Sequence, residues 1–236
     1  MLISFIIFAQ NEELNIENTF NNVLKGIQSL DYSEYEIILV DDHSEDSTFL
    51  NMQKLEKLFP RTIAIRSDNE IGIANSIFAG FNRSLGRIII PIPGHNMFGP
   101  EAISRVLGNS GLAHVVVGFR SNLYKTRPLL KYISSKLLLA GYHSLVYNFV
   151  KDIHGLNSYP RDLIELSKGY SLGHGFHMIP ITLAVRQNFK IIQISIDIKS
   201  GHKKRKGKKI SANWPSLKSV NSVTRQLLLC RHIKFK

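Results

Sequence analysis

Along the first half of the chain, apolar residues fall in short runs separated by longer amphipathic stretches. The runs Leu2–Phe8, Glu36–Val40, Thr62–Arg66, Ile88–Ile92 and His114–Gly118 predict strands, and Asn15–Leu30, Ser47–Leu58, Ile73–Leu85 and Pro100–Leu107 carry a helical period between them. Strands alternating with helices long enough for a right-handed crossover predict an α/β fold, a doubly wound, mostly parallel sheet flanked by helices. Ligands of such sheets bind beyond the carboxyl ends of the strands. That rule places Gln10–Glu12, Asp41–Asp46, Ser67–Gly72 and Pro93–Met97 on one rim.

After Gly118 the pattern changes. Leu129–Phe149 reads as an amphipathic helix with a break expected near Gly141, Arg161–Lys168 and Phe176–Arg186 as two further helices, and Ile191–Ile198 as a strand. Gly201–Lys209, with six Lys or Arg among nine residues, predicts a solvated loop, and Ser216–Leu229 is a further amphipathic stretch in a basic C-terminal helical extension. The expected organisation is one domain over residues 1–211, divided into halves 1–118 and 119–211, with an amphipathic tail over 212–236.

Length and charge sharpen this division. A chain of 236 residues can bury a sizeable core without staples, and a single Cys230 excludes an internal disulfide. With no uncharged apolar window of about 18 residues and no basic segment before Leu2, the expectation is neither a spanning helix nor a signal peptide, and a reducing cytosolic setting. The net charge of +12 is unevenly placed: residues 1–118 carry 8 Lys or Arg against 14 Asp or Glu, and residues 119–236 carry 22 against 4. A basic half reads as a surface for phosphates, whether on nucleic acid, anionic lipid or a phosphorylated substrate.

The acids concentrate in Asp41-Asp42-His43-Ser44-Glu45-Asp46, directly after a predicted strand. Crowded carboxylates need hydrogen-bond donors or a cation; helix capping by Asp46 or Ser47, with acids near a helix N-terminus, would account for two or three of these residues, and the alternative is that carboxylates at a strand's end accept hydrogen bonds from a ribose or a base edge. Neither G-x-G-x-x-G nor G-x-x-x-x-G-K-[ST] occurs. Ala74 and Gly80 would equally let their helix lie close to the sheet.

Phe8-Ala9-Gln10-Asn11-Glu12, Val40-Asp41-Asp42-His43-Ser44-Glu45-Asp46-Ser47-Thr48, and Asn69-x-x-Gly72-x-Ala74 with Gly80 and Gly86 resemble the P-x-Y-N-E, V-D-D-G-S-x-D-G-T and N-x-G-x-x-A-x-x-x-x-x-G motifs of family 2 glycosyltransferases with the GT-A fold. Gly118-Phe119-Arg120, Asp152-x-x-Gly155 and the basic loop around Gly207 resemble later motifs of the branch containing dolichol-phosphate mannosyltransferase and bacterial polyprenyl-phosphate glycosyltransferases. The resemblance implies a nucleotide-sugar donor, with Glu12 and Asp42 on its ribose and base, Asp41 and Asp68 supporting them, and Phe8, Gln10 and Gly72 completing the pocket. It also implies a polyprenyl phosphate or other glycan acceptor, a divalent Mg2+ or Mn2+ cofactor, and an inverting transfer.

One departure stands out. Where the family places D-x-D, this chain has Pro93-Gly94-His95, and two lost carboxylates remove most of the expected affinity for a hard cation. His95 is either a solvated loop residue, a ligand for a softer metal ion, or a donor to the diphosphate. A zinc site from His95, His154, His174 and His177 has no supporting ligand spacing. The family's carboxylate near Ile179 is also missing, which favours a phosphate acceptor, already an anion, over a hydroxyl.

The candidate catalytic residues are therefore His95, Arg120 and Asp152. Lys204, Arg205, Lys208 and Lys209 are expected to clamp a lipid-borne phosphate or hold the protein, with or without a membrane-protein partner, at the anionic inner face of a membrane. The basic run lacks the interleaved aromatics of a nucleic-acid surface, so no nucleic-acid partner is expected. The alternative is a GT-A-shaped protein that binds or scaffolds at the membrane without catalysing transfer.

Overall fold

A computed structural model describes residues 1–111, 114–126, 129–146, 150–170, 173–199 and 224–230. The first half alternates β1 (Ile3–Ala9), α1 (Ile16–Gln28), β2 (Tyr35–Asp41), α2 (Thr48–Leu58), β3 (Thr62–Arg66), α3 (Ile73–Arg83), β4 (Ile88–Pro93), α4 (Pro100–Asn109) and β5 (Val115–Arg120). The second contains α5 (Leu123–Thr126), α6 (Leu129–Val146), β6 (Asn157–Pro160), α7 (Arg161–Ser167), a 3-10 turn at Gly173–Gly175, α8 (Met178–Arg186) and β7 (Ile191–Ile196), and residues 224–230 are helical.

The strands form one sheet in the order β3-β2-β1-β4-β6-β5-β7. β1 is parallel to β2 and β4, β2 to β3, and β5 to β7, whereas β6 is antiparallel to both β4 and β5. The inversion of β6 has a consequence for function. The segment 152–156 that leads into it lies on the same edge as the carboxyl ends of the other strands.

Alternation along each strand splits the core in two. Ile3, Phe5 and Ile7 of β1, with Ile37 and Leu39 of β2 and Ile88, Ile90 and Ile92 of β4, face α1, α2 and α4. Ile6, Ile38, Val40 and Ile89 face the other way, toward α3, α6, α7 and α8, in the cluster that also takes Cys230. Helices on both faces make this the doubly wound architecture that the periodicity predicts, and both faces of a parallel sheet must be covered because its strands are apolar on both sides.

Close approach explains several small residues. A Cβ on Gly80 would stand 2.5 Å from Ile6 Cγ2, so α3 reaches the sheet only because position 80 has none, and the Gly86 amide donates to Ser4 Oγ at 2.8 Å. These glycines serve packing. Two expectations are corrected. α6 runs through Gly141 without a break, because one glycine costs a helix only about 1 kcal/mol and Tyr142 and Val146 beyond it are buried in the core. The last strand stops at Ile196, after which Ile198 makes only an isolated bridge to Phe98. The basic loop, with Lys204, Arg205, Lys208 and Lys209, lies outside the described residues.

Candidate functional site

The loops after β1 and β2 are sewn together residue by residue. The amides of Asn11, Glu12 and Glu13 donate to Ser44 Oγ (2.8 Å), Thr48 Oγ1 (2.7 Å) and Asp46 Oδ2 (3.2 Å), and the Glu45 amide returns a bond to Asn11 Oδ1 (2.8 Å). Asp46 Oδ1 also accepts from the Thr48 amide at 2.9 Å, so this acid satisfies the first amide of α2 from the residue before the Ser47 N-cap, which makes no side-chain cap bond itself. Asn11 and His43 both have left-handed backbones, with φ 53° and 54°. His43 thus adopts, with a side chain, the conformation that the glycine of the resembled motif takes without strain.

Asp41 and Asp42 point to different partners. Asp42 receives the Ile71 amide on Oδ1 at 2.7 Å and the Gly72 amide on Oδ2 at 2.9 Å, fixing the loop that enters α3 and placing a negative charge at that helix's positive end. Asp41 is fully buried. Its Oδ2 accepts from the Ser44 amide (3.1 Å) and lies 3.3 Å from Arg66 Nε, while its Oδ1 has no hydrogen-bond partner. Burial raises its pKa, against the lowering effects of Ser44 and Arg66. Glu12 is buried and accepts from Asn15 Nδ2 at 2.8 Å, Phe8 and Gln10 are partly buried, and Asp68 is exposed.

β4 delivers Pro93-Gly94-His95 to the same rim, beside the end of β1. Pro93 pairs with Phe8, and the Gly94 amide donates to Phe8 O at 2.9 Å. A Cβ at Gly94 would come within 2.6 Å of Ala9 Cβ, so the turn requires glycine. His95 is partly buried, and Asn96 after it has φ 59° and accepts from Asn22 Nδ2 at 2.6 Å.

On the other side of β6, two glycines bring a charged pair together. A Cβ on Gly155 would lie 1.5 Å from Gly118 O, and one on Gly118 would lie 2.4 Å from Leu156 O, so the backbones cross at a distance only glycine permits. The crossing aligns Arg120 with Asp152. Arg120 donates through Nε to Oδ2 (2.6 Å) and through Nη2 to Oδ1 (2.9 Å), a bidentate pair with the arginine side chain 2% exposed. Burial would raise the Asp152 pKa, but the Arg120 hydrogen bonds and charge, helped by the His154 amide, hold it at about 2. Beside the pair a cavity opens between the end of β5, α5, α6 and the 151–154 segment, lined among others by Ser121, Tyr124, Ser135, Lys136, Lys151 and His154.

Close to the Arg120–Asp152 pair runs a polar chain in which Asn157 and Tyr159 are buried and His177 is partly buried. Asn157 Nδ2 donates to Tyr159 Oη (2.9 Å), which bonds His177 Nδ1 (2.9 Å), and the imidazole packs edge-on against Phe176. Burial, then the neighbouring His154, drives the His177 pKa down to about 3, so this histidine is neutral at physiological pH.

The structure thus gathers the predicted donor residues Phe8, Gln10, Glu12, Asp41, Asp42, Asp68 and Gly72 at the ends of β1, β2 and β3, and His95 at the end of β4. Arg120 and Asp152 meet each other at the end of β5. In sequence they stand 32 residues apart as separate candidates, and the signals for their pairing are Gly118, two residues before the arginine, and Gly155, three after the aspartate. The cavity residues Tyr124, Ser135 and Lys151 were not anticipated, since no local pattern marks them. Among the described residues no group of three His, Cys, Asp or Glu is gathered to hold a metal ion, and the His174 side chain lies outside them.

Comparison with known proteins places this arrangement. The chain is 31% identical over 107 residues to a dolichol-phosphate mannosyltransferase of Pyrococcus furiosus, covering 45% of this chain and 29% of that protein. It is 30% identical over 119 residues to an undecaprenyl-phosphate 4-deoxy-4-formamido-L-arabinose transferase of Proteus mirabilis, covering 50% and 36%. The matches span about a third of these relatives' length. Among solved structures, glucosyl-3-phosphoglycerate synthase of Mycobacterium tuberculosis with Mn2+, UDP-glucose and phosphoglyceric acid superposes with a TM-score of 0.67 at 16% identity, over 100% of this chain and 81% of that one. A mannosyltransferase of Pyrobaculum calidifontis with GDP-Man and Mn2+ gives 0.61 at 14%, over 87% and 58%. These likenesses establish a shared GT-A fold. The glycosyl transferase family 2 profile matches residues 4–164, which takes in the donor rim, the β4 turn and the Arg120–Asp152 pair, and the chain belongs to that family.

Proposed function

We propose that this chain transfers a sugar from a nucleotide sugar to a polyprenyl-type lipid phosphate at the inner face of an anionic membrane. The observation that carries this reading is the cavity beside α6. Arg120 and Asp152 neutralise each other there, which leaves the Lys136 and Lys151 ammonium groups to favour an anion. On another face of the same helix, Leu129, Leu130, Ile133 and Leu137 are exposed, Leu129 and Leu137 at 71% and 69%. A cationic pocket and an exposed apolar face on one helix suit an amphiphile with an anionic head and a hydrocarbon tail.

α6 has a second apolar side, buried against the sheet, so its exposed leucines are not required by the core. No helix among the described residues is long and apolar enough to cross a membrane, and the proposed contact is burial of the exposed α6 leucines at one bilayer surface. The relatives named for dolichol and undecaprenyl phosphate support the same acceptor class.

The chemistry asks little of a base. A phosphate oxygen is already an anion at neutral pH, so it attacks the anomeric carbon directly. The new carbon–oxygen bond forms as the bond to the nucleoside diphosphate breaks on the opposite face, and the configuration inverts. The chain's task is to orient two anions and to stabilise the departing diphosphate. Arg120 and Asp152, locked together, form a rigid, charge-compensated part of the acceptor pocket, and Lys136 and Lys151 supply its positive charge.

Transfer from a panel of nucleotide sugars to undecaprenyl phosphate in anionic vesicles, followed by mass spectrometry, tests the reading. A glycosyl lipid phosphate is expected, and Lys136→Ala with Lys151→Ala should raise the lipid-phosphate KM about tenfold with little change in donor KM. Donor binding without any transfer would instead favour the binding-only reading, whose specific support is the Pro93-Gly94-His95 turn.

A further inference from the structure

The β4 turn conflicts with the metal chemistry of the fold's relatives. The two superposed structures described above were solved with Mn2+. A divalent ion in such a site is held by one or two carboxylates and by the substrate phosphates. Here the turn offers Pro93, Gly94, His95 and Asn96, none of them a carboxylate, and Asn96 Oδ1 accepts from Asn22.

Nor do the neighbouring acids substitute. Asp42 has one oxygen on each of two backbone amides, Asp46 accepts from Glu13 and Thr48, and Glu12 accepts from Asn15. Asp41 is buried to 0% exposure against Arg66, out of reach of a hydrated ion. These carboxylates hold loops together. Asp68 is exposed but follows β3, three places from β4 in the sheet, and among the described residues no three His, Cys, Asp or Glu are gathered, so the donor set does not fit Mg2+ or Mn2+.

We propose that the donor site of this chain works without a divalent cation, and that the His95 side chain supplies the hydrogen bond to the donor diphosphate that the metal supplies elsewhere. The proposal rests on the donor-site reading given above. Its geometric basis is that β4 ends at Pro93 in register with Phe8 of β1, so His95 leaves the sheet between the nucleotide loops and the 152–156 segment. A transferred sugar must pass through that gap. Gly94 pins the turn, since no side chain fits against Ala9, and the left-handed Asn96 closes it, so His95 is held on a rigid support.

Calorimetric titration of the full chain with UDP and GDP, each in EDTA and in Mn2+, tests the proposal, with UMP and GMP as monophosphate controls. Dissociation constants for the diphosphate that binds should agree within about threefold between EDTA and Mn2+. His95→Ala and His95→Leu, neither able to donate, should each weaken the diphosphate about tenfold and leave the monophosphate unchanged, the size of one hydrogen bond to a charged group. Electron paramagnetic resonance of Mn2+ should show no nucleotide-dependent uptake. Tightening by tenfold or more in Mn2+, nucleotide-dependent Mn2+ uptake, or equal losses for mono- and diphosphate would overturn it. Binding seen only with Mn2+ removes this inference alone, whereas binding of neither nucleotide in either condition removes the donor-site reading as well.

Discussion

Asp152, buried, and His177, partly buried beside it, are titratable groups that interact with each other, and each gives the molecule an acid limit for its own reason. Asp152 is held ionised by Arg120, with a folded pKa of about 2 against an ordinary 3.8, so its stabilisation is complete above about pH 4 and lost as pH falls toward 2. His177 is held neutral, at about 3 against 6.5, so its contribution is present above about pH 6.5 and lost on descending toward 3. Unfolding free energy should therefore fall with a slope approaching about 1.4 kcal/mol per pH unit below pH 6.5, and His177→Gln should flatten that slope in urea titrations between pH 4 and 6.5. Asp152→Ala leaves the Arg120 guanidinium buried without its partner. Urea denaturation at pH 7 should show a loss of roughly 3–5 kcal/mol, the usual cost of stranding a buried charge.

The contact that makes this pair possible belongs to two elements, β5 and the segment leading into β6. Gly155→Ala would set a methyl group 1.5 Å from a backbone carbonyl, where no rotamer offers relief, and should cost about 3 kcal/mol or more and separate Arg120 from Asp152. Gly169→Ala is the control: nothing lies within 4 Å of its Cβ, and stability should change by less than about 0.5 kcal/mol. α6 shows a different element-scale device. Buried on one side by Tyr142 and Val146 and exposed on the other through Leu129, Ile133 and Leu137, it is apolar on two faces, and only one is used by the fold. Leu129→Gln with Leu137→Gln should leave the melting temperature nearly unchanged while lowering the partition onto anionic vesicles by about tenfold or more, since each leucine contributes on the order of 1 kcal/mol of apolar burial at the interface. Equal vesicle binding by the variant would argue that charge alone holds the protein there.

For the whole molecule, the charge division of 8 basic against 14 acidic residues in one half and 22 against 4 in the other is a property of the sequence, and the proposed function assigns the nucleotide to the acidic side and the acceptor phosphate to the basic one. Binding to anionic vesicles should weaken steeply with salt, while nucleotide binding at the acidic rim should respond less, a difference measurable by sedimentation and calorimetry in one salt series. The sequence by itself determined the α/β layering, because strand and helix periods are local, and it determined the rim, because the motif residues follow predicted strands directly. It also showed the loss of D-x-D, which is a matter of residue identity. Only the tertiary structure decided how those residues are used. β6 is four residues of Asn, Ser, Tyr and Pro with no period to read, and its reversed direction comes from the strands it joins. Asp42 faces two amides 29 and 30 residues away, and Arg120 meets Asp152 across 32 residues. Hydrophobic period is set by neighbours along the chain, whereas the partners of a buried charge are set by which backbones can approach, and that depends on the assembled sheet.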